Sequence, residues 1–112
     1  MAAPLTRGEV RWFRFPPPDK QRPVLILTRT SALGILGRVT IAPITSTIRD
    51  IPTEVVLDED DGVRARCAVS LDNVVTVPRS GIGRRLTSLG PDRMAAVCRA
   101  LDFALGCDED ES

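Results

Sequence analysis

The sequence predicts a single mainly β domain that ends in one helix. Three observations predict it: β-branched runs through the first two-thirds, turn residues between those runs, and an apolar repeat of helical spacing near the C-terminus. At 112 residues the chain can bury one modest core and not two. We therefore read residues 1–107 as one domain and residues 108–112 as a tail.

Arg7 to Phe15, RGEVRWFRF, alternates after Gly8 and reads as a first strand, with one of Trp12 and Phe13 facing the core, Trp12 being the favoured one, and the other left at the surface as an aromatic face. Pro16, Pro17 and Pro18 cannot donate to a ladder, so a loop runs from Pro16 to Gln21, with Arg22 at its far edge. Pro23 to Thr30, PVLILTRT, is almost continuously apolar as far as Leu27, the pattern of a central strand buried on both faces. Two glycines make Ser31 to Arg38 a connection. Val39 to Ile44 is then a third strand that Pro43 should end or bulge. Thr53 to Leu57 reads as a fourth, closed by the turn chemistry of Asp58 to Gly62. Cys67 to Val77, CAVSLDNVVTV, is one bent strand or two short ones around Asp72 and Asn73. Gly90 and Pro91 open a helix. Met94, Val97, Cys98, Leu101, Ala104 and Leu105 recur along it, and Gly106 closes it. Cys98 is expected as a small core residue.

Several function classes are excluded at this level. No apolar run approaches the ~20 residues a membrane helix needs. Met1 to Arg11 lacks the apolar stretch of a secretory signal, so a cytoplasmic location is expected. Cys67, Cys98 and Cys107 are widely spaced and the chain has no histidine, so neither a metal site nor a cysteine nucleophile is expected. The formal net charge of zero hides an asymmetry, because four acids fall in Asp108 to Ser112. Without them, 15 basic residues face 11 acidic ones, a balance of +4. Only Lys20 among the basic residues is not arginine, and the planar guanidinium suits bidentate phosphate contacts. The acidic tail itself is expected to be disordered, since it has no apolar surface to offset the entropy of ordering.

Four segments in order, RGEVRWFRF at 7–15, KQRPVLILT at 20–28, IAPITST at 41–47 and CAVSLDNVVTV at 67–77, resemble the MazF/PemK family of toxins from type II toxin–antitoxin systems. The resemblance implies a small SH3-like barrel with a C-terminal helix, the CcdB/PemK-like toxin fold, assembled as a two-fold homodimer whose concave faces bind RNA. It also implies a cytoplasmic toxin that cuts single-stranded RNA without a metal or other cofactor, leaving 2′,3′-cyclic phosphate and 5′-OH ends. A cognate antitoxin with a disordered acidic segment is implied as the second partner.

By the same resemblance the catalytic pair is Arg22, just before the proline of the second strand, and Thr45, at the end of the third, with Ser46 adjacent. The chemistry suits these residue types, because a guanidinium stabilises charge developing on the phosphate and a hydroxyl donates to a phosphate oxygen. A hydroxyl is a poor general base, so a carboxylate is sought, and Glu9 and Asp72 are the two available. Asp72 matches a family position that is often acidic, whereas Ser70 stands where certain relatives carry arginine. Lys20 and Gln21 beside Arg22, with Arg79, Arg84 and Arg85 further along, are candidate RNA contacts, and the Ser31 to Arg38 loop is expected to border the groove. The alternative within the same fold is a non-catalytic CcdB-like toxin that binds DNA gyrase through Asp102 to Gly106.

Overall fold

The computed structural model describes residues 5–18 and 20–106 of the chain; the acidic tail and Cys107 lie outside the described residues. Among the described residues seven strands form one antiparallel sheet: β1 (Glu9–Arg14), β2 (Gln21–Ile26), β3 (Arg38–Thr45), β4 (Glu54–Leu57), β5 (Cys67–Ser70), β6 (Val75–Pro78) and β7 (Ile82–Ser88). A one-turn helix α1 (Thr30–Leu33) follows β2, and the long helix α2 (Pro91–Leu105) ends the domain. The strand order is β4-β5-β3-β2-β1-β7, with β6 also paired to β3. The expected mainly β domain with a C-terminal helix is what is found.

The β2 strand has the double-sided burial that its continuous apolar run predicts. Leu25 and Leu27 enter one core cluster with Ile44, Val69 and Val97 of α2, while Val24 and Ile26 enter a second with Phe13, Leu33 and Ile41. Period-two alternation divides the strand between the two faces of the sheet. Cys67 to Val77 is two short strands flanking a 3₁₀ turn at Leu71–Asn73, and both lie along the same edge of β3.

Pro43 does not end its strand. It pairs in register with Val24 and falls between the last β6 partner, Ile41↔Val75, and the first β5 partner, Ile44↔Val69. Its missing N–H therefore lies opposite the interruption in the neighbouring strands, where no ladder bond is lost. Trp12 is half-buried, and Phe13 takes the core position expected for it, stacked edge-on against Phe15 with ring centroids 4.8 Å apart. The ring fits because residue 81 is glycine; a Cβ there would collide with it. The β7 strand was not predicted. It is a polar edge strand whose pairing to β1 shifts register twice, so no alternating pattern marks it.

Helix α2 begins with Pro91 at its first turn and stops at Gly106, which is left-handed at φ 64°. Its buried stripe centres on Val97 and Ala100, with Met94, Leu101 and Ala104 beside it. Cys98 and Leu105 fall outside that stripe. Contrary to expectation, Cys98 is exposed, and its Sγ accepts a hydrogen bond from Arg7 at 3.2 Å. The half-buried Cys67 thiol is pushed up from its ordinary pKa, first by burial and then by the Asp61 charge, which leaves it a poor nucleophile.

An ion pair fastens α2 to the turn after β4. Arg93 forks onto Asp61, with Nε–Oδ1 and Nη2–Oδ2 both at 3.0 Å. Burial works to raise the Asp61 carboxyl, but the Arg93 guanidinium and the Asp58 backbone N–H outweigh it and hold Asp61 below the usual carboxylate value. Because the folded-state value is depressed, this stabilisation is complete above the unfolded aspartate value of about 3.9 and is lost as pH falls through the folded value. Urea unfolding should therefore show the unaltered protein more stable than Arg93→Gln at neutral pH, with the gap closing in acid. A gap independent of pH would count against the pair.

Candidate active site

β2 and β3 pair at Ile26↔Ile41, Leu25↔Ala42 and Val24↔Pro43, and Arg22 and Thr45 each lie two residues beyond the last of these pairs, at the same end of the two strands. Alternation then decides the face. Leu25, Ile44, Val69 and Val55 point into the core under α2, so Arg22, Thr45, Ala68 and Glu54 share the opposite face. Arg22 is exposed and Thr45 half-buried. The Thr45 Oγ accepts the backbone N–H of Thr47 at 3.1 Å, a local turn that fixes the hydroxyl and leaves its proton to donate elsewhere. Ser46 is the first residue beyond β3 and is exposed.

The remaining sequence-derived candidates divide by position. Lys20 and Gln21 lead directly into Arg22, and Gln21 pairs with Arg14 of β1. Arg84 and Arg85 stand exposed on β7, which is separated from β2 only by β1, and Arg85 donates to Ser88 Oγ at 3.2 Å. Asp72 lies in the 3₁₀ turn beside Pro43, where its carboxylate accepts the Thr53 hydroxyl. Arg79 is not with this group within one protomer. It follows β6 at the Arg38 end of β3, roughly 23 Å along the strand from Thr45. There its guanidinium donates to the Leu33 carbonyl and its backbone N–H to Gly37 at 3.0 Å, so it closes the β2–β3 connection. The Ser31 to Arg38 loop shares that distant end.

Of the two carboxylates considered as a base, Glu9 is committed elsewhere. It is buried on β1 and pairs with Arg11 at 2.9 Å while accepting the Thr6 N–H at 3.0 Å. Ser70 is buried as well, its hydroxyl held by Asn73 Nδ2 at 2.8 Å. Among the described residues no three His, Cys, Asp or Glu side chains gather where they could hold a metal ion.

Two residues that the sequence alone does not single out, Arg49 and Glu54, meet in the connection that follows Thr45. β3 and β4 are both antiparallel to β5 and flank it, so residues 46–53 must cross one face of β5. The core under α2 fills one face of β5, while Ala68 and Ser70, which alternate to the other, are buried as well. Glu54 fastens the crossing by accepting the Arg49 N–H at 2.9 Å, which leaves the exposed Arg49 on the connection that begins at Thr45. Local pattern carries no signal for this, because it depends on which strand lies between β3 and β4.

A family model described as PemK-like, MazF-like toxin of type II toxin–antitoxin system matches residues 6–105. The chain is 41% identical over 108 residues to a Mycobacterium tuberculosis protein named "Probable endoribonuclease MazF5", covering 96% of this chain and 98% of that one. It is also 41% identical over 90 residues to "Endoribonuclease MazF3" of the same species, covering 80% and 87%. Among solved structures it is similar to Mycobacterium tuberculosis toxin MazF-mt6, with a TM-score of 0.81 at 37% identity, covering 92% of this chain and 99% of that one. A mycobacterial endoribonuclease in complex with its cognate antitoxin gives a TM-score of 0.83 at 26% identity, covering 95% and 99%.

Proposed function

The chain belongs to the PemK-like, MazF-like toxins of type II toxin–antitoxin systems, and from that premise we propose that it is a toxic endoribonuclease cutting single-stranded RNA at the Arg22–Thr45 face. The observation that supports this reading is strand alternation at one end of the β2–β3 pair, which gives Arg22 and Thr45, with its turn-fixed hydroxyl, the same face of the sheet, away from α2. The ribose 2′-OH gives up its proton as its oxygen bonds to the adjacent phosphorus, the P–O5′ bond breaks, and the leaving 5′-oxygen takes up a proton, so the products are a 2′,3′-cyclic phosphate and a 5′-OH. Arg22 neutralises the charge that builds on the non-bridging oxygens, and Thr45 donates to one of them. We assign Ser46, next to Thr45 in the chain, and Asp72, in the turn after β5, as the supporting catalytic groups, and Lys20, Gln21, Arg84 and Arg85 as phosphate contacts. Arg79, bound to its own protomer's β2–β3 connection, reaches RNA only where the strand extends past that end.

We further assign the protein to the cytoplasm as a homodimer, restrained by an antitoxin whose acidic segment covers the basic face. No helix among the described residues is long and apolar enough to cross a membrane. The gyrase-binding alternative is not favoured, because the named relatives are endoribonucleases.

The test is to incubate the purified protein with a mixed RNA pool in EDTA and map the new ends. Cleavage is expected to persist in the chelator, with 5′-OH termini clustered at a short sequence. Intact RNA, or 5′-phosphate ends, would refute the reading.

A further inference from the structure

We propose that Arg49 is a second phosphate contact for the RNA, set beside the Arg22–Thr45 pair by the Glu54 carboxylate that grips its backbone N–H. The inference rests on the endoribonuclease reading and adds to it a residue that fixes how the strand lies across the face. Arg49 is exposed, and it sits within the eight-residue crossing, 46–53, that starts at Thr45 and passes over β5. Strands lie about 4.8 Å apart, and β4, whose Glu54 holds the Arg49 N–H, is three strands from β2, so Arg49 stands on the order of 10–15 Å from the strand that carries Arg22. That separation suits a flanking phosphate and not the scissile one.

The backbone around Arg49 is well held. Thr47 N–H binds Thr45 Oγ at 3.1 Å, Arg49 N–H binds Glu54 Oε1 at 2.9 Å, and Glu54 N–H binds the Ile51 carbonyl at 3.0 Å. The Leu71 N–H then binds the Thr53 carbonyl at 2.9 Å, tying the end of the crossing to the turn after β5. Asp50, next in sequence, has φ 61°, a left-handed conformation that asparagine and aspartate tolerate better than most residues. Glu54 faces this side because its neighbours Val55 and Leu57 point into the core. It is a positioning residue: its carboxylate sets the crossing, and the crossing presents the guanidinium.

The experiment measures binding of a short RNA made uncleavable by 2′-deoxy substitution, over a series of salt concentrations, with cleavage of the parent RNA followed in parallel. Arg49→Ala is expected to weaken binding roughly tenfold at low salt. It should flatten the slope of log affinity against log salt by about 0.7, the value for one contact on a single strand. KM should carry the loss and kcat should not. Arg49→Lys should keep the slope. Glu54→Ala should reproduce the loss of affinity, and Glu54→Gln, whose amide oxygen still accepts the Arg49 N–H, should lose less. An unchanged salt slope in Arg49→Ala would overturn the proposal. If Arg22→Ala abolishes cleavage in the same series while Arg49→Ala binds as the unaltered protein does, this inference falls and the endoribonuclease reading stands. If the unaltered protein neither binds nor cuts RNA, both fall.

Discussion

Arg22→Ala is expected to lower RNA cleavage by on the order of a hundredfold or more, the usual loss when one charge donor to a transition state is removed. The residue is exposed at the start of β2, so the fold should tolerate the change at a cost of no more than about 1 kcal/mol. The effect should appear at saturating RNA, because the extra negative charge exists only once the 2′-oxygen has bonded to phosphorus. Arg22→Lys should recover part of the rate, since it restores charge without the planar fork that can hold two oxygens. In growing cells the alanine variant should no longer arrest growth. Cleavage undiminished in Arg22→Ala would remove this residue from the mechanism and leave the face opposite α2 without a charge donor from β2.

The second large effect concerns stability. Glu9 and Arg11 form an ion pair on β1 in which each side chain is only 9% exposed. Arg11 also donates to the Gly83 carbonyl at 2.9 Å, across the stretch where the β1–β7 register shifts, so it ties down the strand that carries Arg84 and Arg85. Arg11→Met should leave the Glu9 carboxylate buried without its partner, at a cost of about 3–5 kcal/mol. Replacing both residues, Glu9→Leu with Arg11→Met, should recover most of that loss, since paired removal strands no charge. Urea unfolding of the two variants measures the difference. Equal losses in the single and double variants would show that the hydrogen bond to Gly83, and not the stranded charge, dominates.

Much of the fold was legible because burial imposes periodicity. The apolar run Val24 to Leu27 marks a strand covered on both sides, and Pro91 and Gly106 bracket α2 at positions whose backbone needs they meet. Errors arose where a neighbour overrode the local pattern. Pro43 stays within β3 because the partner strand is interrupted beside it. Phe13 is buried because its face of β1 meets the second core cluster and Gly81 leaves room for its ring, while Trp12, on the opposite face, is only half-buried. Cys98 is exposed because the stripe of α2 turns toward Val97 and Ala100. The β7 strand carries no alternation because it lies at an edge and its ladder shifts register.

The candidate site divides in the same way. Order and motif along the chain determined that Arg22 stands at the entrance of a central strand and that Thr45 ends the next one, and both positions lie in segments that carried the family resemblance. The chain alone does not determine that the two residues share a face, because they are separated by the whole β2–β3 connection and a slip of one residue in register would turn either side chain to the other side. Tertiary structure decided that. It also decided that Glu9 is occupied by Arg11, that Arg79 belongs to the far end of β3, and that the Arg49 N–H is held by Glu54 of β4. The physical reason is common to all of these: periodicity records whether a residue is buried, while strand pairing settles which residues it meets.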